Sequence, residues 1–134
     1  MMSAPLSFLV IDFHTESRYL LVKTLLRKFP GAVIYESDDP EDALMIVGRG
    51  DLAAIITHRT IDITGIELMK RLREADAGVP IVMVSGIDRE QAALEAGATS
   101  FLSYDEWLRI GTVVEAHLAQ RAQQRAMASA NPLA

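Results

Sequence analysis

The stretch that decides the fold is residues 51–73, DLAAIITHRTIDITGIELMKRLR. Its apolar run at 53–56 is short and continuous, which is typical of a strand buried on both faces of a parallel sheet. Polar residues follow, and Thr64 with Glu67 fits the capping box that begins a helix. The stretch therefore predicts a strand, a loop and a helix in that order.

The remainder of the chain repeats this unit. Four further apolar runs predict buried strands: SFLVI (7–11), AVIY (32–35), IVMV (81–84) and SFL (100–102). A helical pattern follows each strand, and right-handed crossovers between parallel strands place helices on both faces of the sheet. The sequence therefore predicts an α/β fold with a doubly wound, five-stranded parallel sheet of the (βα)5 type.

Local signals predict where the helices begin, end and pack. Capping residues predict the starts of the second, fourth and fifth helices at Asp39 with Pro40, at Asp88, and at Ser103 with Glu106. Glycines predict the ends of the second and fourth helices at Gly48 and Gly97. Apolar spacing predicts the buried faces of the first and fifth helices, namely Leu21, Leu25, Phe29, Trp107, Ile110, Val114 and Leu118.

Length and composition exclude several classes of protein. A chain of 134 residues predicts one domain, assigned to 1–120, with 121–134 as a helix end and flexible tail. The absence of cysteine excludes disulfides, thiolate metal sites and a cysteine nucleophile. The first residues lack a signal-peptide pattern and no apolar run is long enough for a membrane span, so we expect a cytoplasmic protein without membrane contact.

The charge of the chain argues against a nucleic-acid partner. The formal net charge is −5, whereas nucleic-acid-binding domains usually present a basic face. The denser basic groups are Lys70, Arg71 and Arg73 on one helix, and Arg121 with Arg125 near the end. We interpret both groups as solvated helix faces.

Ligands of doubly wound folds bind at the carboxyl ends of the strands, which selects the loops after residues 11, 57, 84 and 102. Asp12 follows the first strand and could hold a cation or cap a helix, but its neighbour Phe13 is not acidic. We expect a protein cation to pair with Asp12, with Arg59 as the first candidate and His58 as the second, because an unpaired buried carboxylate is costly.

Two other constellations at this edge are weak signals. Asp12, His14 and His58 resemble a two-histidine, one-carboxylate metal set, although their spacing is irregular. Ser85, His58 and Asp12 resemble a catalytic set, but no nucleophile-elbow sequence accompanies them. Neither glycine-rich phosphate-binding motif is present, which argues against a nucleotide or flavin cofactor. We therefore predict no cofactor and no metal.

The order of these segments resembles the receiver domain of bacterial two-component response regulators. FLVIDFHTESRYLLVKTLL resembles the first unit, GIELMKRLR the third helix, VPIVMVSG the fourth strand and GATSFLSYD the fifth. The resemblance covers about residues 6–120 and implies a flavodoxin-like fold. It also implies that Asp12 is the first acid of the site, Ser85 its hydroxyl residue and Phe101 its switch aromatic.

The same resemblance implies that the phosphorylation chemistry is lost. The second acid of the family is Phe13 here, the phospho-accepting aspartate is Thr57, and the lysine is Tyr104. The prolines that usually follow the acceptor and the lysine are Ile61 and Asp105, and the stretch from Ser85 to Gly97 is short. A threonine hydroxyl is not ionised at neutral pH, and a cation has few carboxylates to hold it.

We therefore interpret the chain as a stand-alone pseudo-receiver that is not an enzyme and signals by protein contacts without aspartyl phosphorylation. Its expected partners are a sensor kinase, another signalling protein or a second copy. One alternative is a switch driven by protonation of His58 or His14, or by phosphorylation of Thr57 by another kinase. Another alternative is a small enzyme or ligand-binding protein with a flavodoxin-like fold.

Overall fold

A computed structural model describes residues 4–60 and 63–130. The strands are β1 Ser7–Ile11, β2 Val33–Ser37, β3 Ala54–Thr57, β4 Ile81–Ser85 and β5 Ser100–Ser103. The α-helices are α1 Thr15–Lys28, α2 Pro40–Val47, α3 Gly65–Ala75, α4 Glu90–Ala96 and α5 Ile110–Ala130, and a 3₁₀ helix spans Tyr104–Arg109. All strands are parallel in the order β2-β1-β3-β4-β5, which confirms the predicted doubly wound fold.

The alternation of side chains along the central strands divides the core into two layers. Leu9, Ile55 and Met83 point to one face, where α2, α3 and α4 cover them. Val10, Ile56 and Val84 point to the other face, where α1 and α5 cover them. Burial of such a side chain contributes about 1.5–3 kcal/mol, so the apolar strands predicted from the sequence stabilise both layers.

Most predicted helix boundaries are confirmed. Asp39 is the N-cap of α2 and its carboxylate accepts from the Glu41 N–H at 3.3 Å, while Gly48 ends the helix. Thr64 is the N-cap of α3, and its hydroxyl oxygen accepts from the Glu67 N–H at 3.1 Å. α4 has seven residues and ends at Gly97, as the shortened sequence predicts.

Two predicted caps are wrong in detail. Ser103 makes no side-chain cap; Glu106 has non-helical dihedrals and pairs with Arg109, so a 3₁₀ helix replaces the predicted first turn of α5. Asp88 lies one position before the N-cap of α4, which is Arg89, and its carboxylate accepts from the Glu90 N–H at 3.2 Å. At the start of α5 the Glu106–Arg109 ion pair competes with the standard cap, and at the start of α4 the turn closed by Asp88 does so.

The last helix continues past the sheet. Val114 is the last fully buried residue of α5, Leu118 is half-buried, and residues 122–129 are exposed. Residues 121–130 belong to this helix, whereas 131–134 lie outside the described residues. Within the part of the chain that the structure describes, no helix has the length and apolarity needed to cross a bilayer.

Arg73 links three segments at the amino-terminal edge of the sheet. Its guanidinium donates to the Gly97 carbonyl at 2.7 and 2.9 Å, to the Val79 carbonyl at 2.7 Å and to the Asp76 carbonyl at 3.2 Å. These carbonyls lie at the ends of α3 and α4 and before β4. Arg73, which the sequence suggested to be part of a solvated helix face, therefore holds the ends of α3 and α4 and the start of β4 together.

Arg73→Ala is expected to lower the free energy of unfolding by about 2–3 kcal/mol, because it leaves several carbonyls without their charged donor. Arg71→Ala on the same helix is the control; Arg71 makes only a surface ion pair with Glu41, at 3.3 Å, and should cost less than about 1 kcal/mol. Urea denaturation measures both values. Equal losses in the two variants would contradict the role of Arg73.

Candidate functional site

The carboxyl ends of the three central strands form the site. Ile11 pairs in register with Thr57, and Thr57 pairs with Met83, so the loops after β1, β3 and β4 lie side by side. Asp12 and His58 follow β1 and β3 directly. Because the strands pair in this register, Asp12 and His58, which are 46 positions apart in the sequence, become neighbours.

The centre of the site is the Asp12 carboxylate, which is fully buried. Its Oδ1 accepts from the His14 N–H at 2.9 Å, and its Oδ2 contacts His58 Nδ1 at 3.0 Å. Ser17 Oγ donates a further hydrogen bond to Oδ2. The buried carboxylate therefore has partners on both oxygens, as a buried charge requires.

The surroundings determine the protonation of Asp12. Burial raises the pKa of this carboxyl group, but hydrogen bonds from His58, Ser17 and the His14 N–H lower it by more. The pKa of Asp12 is therefore below its ordinary value, and the group is ionised at neutral pH. Arg18 adds to the cluster, since its Nη1 donates to the Asp12 carbonyl at 2.6 Å and its Nε bonds Glu36 at 3.1 Å.

His58 lies between Asp12 and Tyr104. Its imidazole stacks on the Tyr104 ring with centroids 4.5 Å apart and an interplanar angle of 7°. Tyr104 begins the 3₁₀ helix after β5, so this stack connects the third strand to the fifth. His58, the second candidate, is therefore the side chain that lies beside Asp12.

Arg59, the first candidate, does not fill this position. Its side chain is exposed, and its backbone carbonyl accepts from the Phe13 N–H at 3.0 Å. His58, its neighbour in the sequence, is buried and contacts the Asp12 carboxylate instead. The ranking of these two candidates was therefore wrong.

The remaining predicted site residues have separate environments. Thr57 is 1% exposed, and its hydroxyl has no hydrogen-bond partner among the described residues. Phe13 is 42% exposed, Ser85 Oγ accepts from the Ile87 N–H at 3.1 Å, and Phe101 is half-buried. Ile61 and Asp62 lie outside the described residues.

The structure does not assemble either alternative constellation. His14 Nδ1 accepts from the Ser17 N–H at 3.4 Å and so caps α1, and within residues 4–60 and 63–130 no three His, Asp or Glu side chains are grouped as metal ligands. The catalytic set retains its Asp12–His58 pair, but the Ser85 hydroxyl bonds a backbone amide instead of the imidazole.

Sequence reasoning missed Ser17 and Arg18. Both lie in the first turns of α1, where a serine and an arginine are ordinary helix-surface residues. No motif marks them, because their role depends on the direction in which α1 leaves the Asp12 loop. They become visible only when the helix is placed beside β1 and β2.

Fold and site together define a flavodoxin-like α/β domain with a polar cluster at the carboxyl ends of its strands. The sequence profile of the response regulator receiver domain matches residues 8–105, and the chain belongs to this family. No curated protein is significantly similar to the chain in sequence.

Solved receiver structures share the fold. The signal receiver domain of the response regulator NarL from Mycobacterium tuberculosis is 21% identical, with a TM-score of 0.75 over 87% of this chain and 98% of its own. The receiver domain of a LuxO repressor protein from Vibrio parahaemolyticus is 17% identical, with a TM-score of 0.79 over 92% and 98%. The receiver domain of Ssk1 from Saccharomyces cerevisiae, solved with the histidine phosphotransfer protein Ypd1, is 20% identical, with a TM-score of 0.63 over 74% and 78%.

The lowered pKa of Asp12 predicts a pH-dependent contribution to stability. The stabilisation by the ionised carboxylate is present above the ordinary aspartate pKa of about 4 and is lost as the pH falls through the lower native value. Asp12→Asn should therefore lower the free energy of unfolding at pH 7 by about 2–4 kcal/mol, and its difference from the wild type should narrow below about pH 4.

Chemical denaturation at a series of pH values measures this difference. Asp38→Asn, in the exposed loop between β2 and α2, is the matched control and should have little effect. A deficit of Asp12→Asn that stays constant through the acid range would contradict an ionised Asp12 carboxylate in the native state.

Proposed function

We propose that this chain is a receiver-domain signalling module that works by protein–protein contacts without aspartyl phosphorylation, and that it acts in the cytoplasm. The observation that supports this most directly is the Asp12–His58–Tyr104 cluster. A histidine ring, held at 3.0 Å from the carboxylate and stacked on a tyrosine, occupies the partner position that a metal ion would need beside Asp12.

The chemistry of phosphoryl transfer explains why this matters. The reaction needs an ionised nucleophile, and it needs cations that neutralise the charge of the transferred group. Thr57 supplies a neutral, buried hydroxyl, and Phe13 supplies no ligand for a divalent ion. Asp12 is already hydrogen-bonded on both carboxylate oxygens.

Burial also argues against a switch at Thr57. A protein kinase must bring its phosphoryl donor to the hydroxyl, yet Thr57 is buried and only 1% exposed. Phosphorylation there would place two negative charges in the core, near the ionised Asp12. We therefore favour a module whose signal does not depend on modification of this residue.

The contact surface that we propose is built from α1, α5 or both. Tyr19 is exposed on α1, and residues 122–129 of α5 extend past the sheet with Met127 67% exposed. Short isolated helices are marginal in water, so this extension should gain stability from a partner. A sensor kinase, another signalling protein or a second copy are the proposed partners; the Ssk1 receiver domain in complex with Ypd1 is one precedent for such contacts.

Incubation with acetyl phosphate and Mg²⁺ should leave the intact mass unchanged, and beryllofluoride with Mg²⁺ should leave the NMR spectrum unchanged. Thr57→Asp is the matched variant, and we expect it to stay unmodified too, because Phe13 withholds the second carboxylate that would accompany Asp12 after β1 and Tyr104 replaces the lysine. A phosphoryl adduct on the natural chain, at Asp62 or elsewhere, would overturn the proposal. An adduct on Thr57→Asp alone would show that only the acceptor is missing.

Deletion of residues 119–134 and, separately, Tyr19→Glu should test the surface. We expect at least one variant to weaken self-association or binding of the native partner by about tenfold, as loss of a contact anchor does. Met45→Glu on the exposed face of α2 is the control. Sedimentation and pull-down measure binding, and circular dichroism checks folding. If both variants fold and bind as before, the surface assignment is wrong.

A further inference from the structure

A groove of about 730 Å³ lies along the edge strand β5, away from the Asp12 cluster. The loop of residues 86–88 and the start of α4 form one side, and the first two turns of α5 form the other. The volume is within the range of small-molecule sites in proteins, which is about 300–1,000 Å³.

The short fourth helix explains why this space is open. α4 has seven residues and is therefore about 10 Å long, so that a loop and not a helix borders the carboxyl end of β4. Phe101 and Val113 are only half-buried as a result, and Ile87 is 63% exposed at the rim. The groove therefore has an apolar floor that the chain itself leaves partly uncovered.

The charged residues around this floor are mostly acidic. Asp88, Glu90 and Glu106 line the groove, and Arg109 is the only basic residue among its lining residues. Arg109 pairs with Glu106, which leaves Asp88 and Glu90 without a basic partner among the described residues. An apolar floor whose lining carries three carboxylates and one guanidinium is complementary to a molecule with an apolar body and a positive charge.

The other end of the groove carries a polar pair that the Asp12 cluster does not use. Ser100 Oγ and His117 Nε2 are 2.8 Å apart and half-buried. Burial lowers the pKa of His117, so this imidazole is neutral at pH 7 and adds no positive charge to the groove. The pair offers a hydrogen-bonding contact about the length of β5 away from the carboxylates.

We propose that this groove binds a small organic cation with an aromatic or branched apolar body. The apolar body packs on Phe101 and Val113, the cationic group lies beside Asp88 and Glu90, and a polar substituent reaches the Ser100–His117 pair. Ser85 lines both this groove and the cleft beside His58, so an occupied groove contacts the same strand end as the degenerate site. Binding of this kind goes beyond the proposed protein contacts and does not depend on them.

Tryptamine, tryptophol and indole-3-propionate test the proposal, because they share an indole body and differ in charge. We expect saturable binding of tryptamine to the full chain at about 1 mM or tighter, weaker binding of neutral tryptophol and the weakest binding of the anion. ¹H–¹⁵N spectra should show shifts confined to groove residues and to the His117 ring.

Matched variants locate the binding. Glu90→Gln and Asp88→Asn should each weaken tryptamine binding about two- to fivefold, whereas Glu95→Gln, on the same helix but outside the groove lining, should not. Ala116→Phe fills the groove from an exposed position, so it should fold normally and abolish the shifts.

Three outcomes would overturn this inference. They are the absence of saturable tryptamine binding up to its solubility limit, affinities that do not follow ligand charge, and binding that Ala116→Phe leaves intact. A lysine-rich amphipathic peptide is the competing probe. If that peptide binds in the groove and tryptamine does not, the groove is a protein-docking surface and the small-molecule assignment is wrong.

Discussion

The buried Asp12 carboxylate is the constraint on which the carboxyl-terminal edge of the sheet depends. An ionised group without solvent must have partners, and this one takes three of them from two segments: the His14 amide and the Ser17 hydroxyl at the start of α1, and the His58 imidazole after β3. The need to hydrogen-bond this carboxylate therefore fixes where α1 begins and how the chain leaves β3. The lowered pKa of Asp12 reports that the hydrogen bonds outweigh the cost of burial.

The cluster continues from Asp12 to the other side of the sheet. His58 stacks on Tyr104, and Tyr104 begins the 3₁₀ helix that leads into α5. The positions that resemble a metal and phosphate centre are thus filled by protein groups that hold one another. A two-state element transmits a signal only when a ligand or modification biases it. Because we propose that phosphorylation does not bias this cluster, we also propose contacts that need no trigger, and a separate ligand-binding groove, as the basis of function.

We propose that the receiver fold tolerates a loss of phosphorylation chemistry, because the fold and that chemistry depend on different residues. The two apolar layers on either side of β1, β3 and β4 stabilise the sheet, whereas the phosphorylation chemistry depends on polar groups at one edge of it. Substitution at Phe13, Thr57 and Tyr104 changes that edge and leaves the layers intact. The short α4 changes a different surface, where the groove along β5 opens.

The sequence by itself determined how many strands there are and where they lie along the chain. It also determined the caps at Asp39 and Thr64 and the short α4, because apolar periodicity and capping are local properties of the chain. It also marked Asp12 as a carboxylate that needs a partner. Only the tertiary structure decided that the partner is His58 and not Arg59, that Ser17 and Arg18 join it, and that Arg73 is a tie between α3 and α4. Those choices depend on strand register and on which face a side chain occupies, and residues far apart in the chain meet only after the sheet has formed.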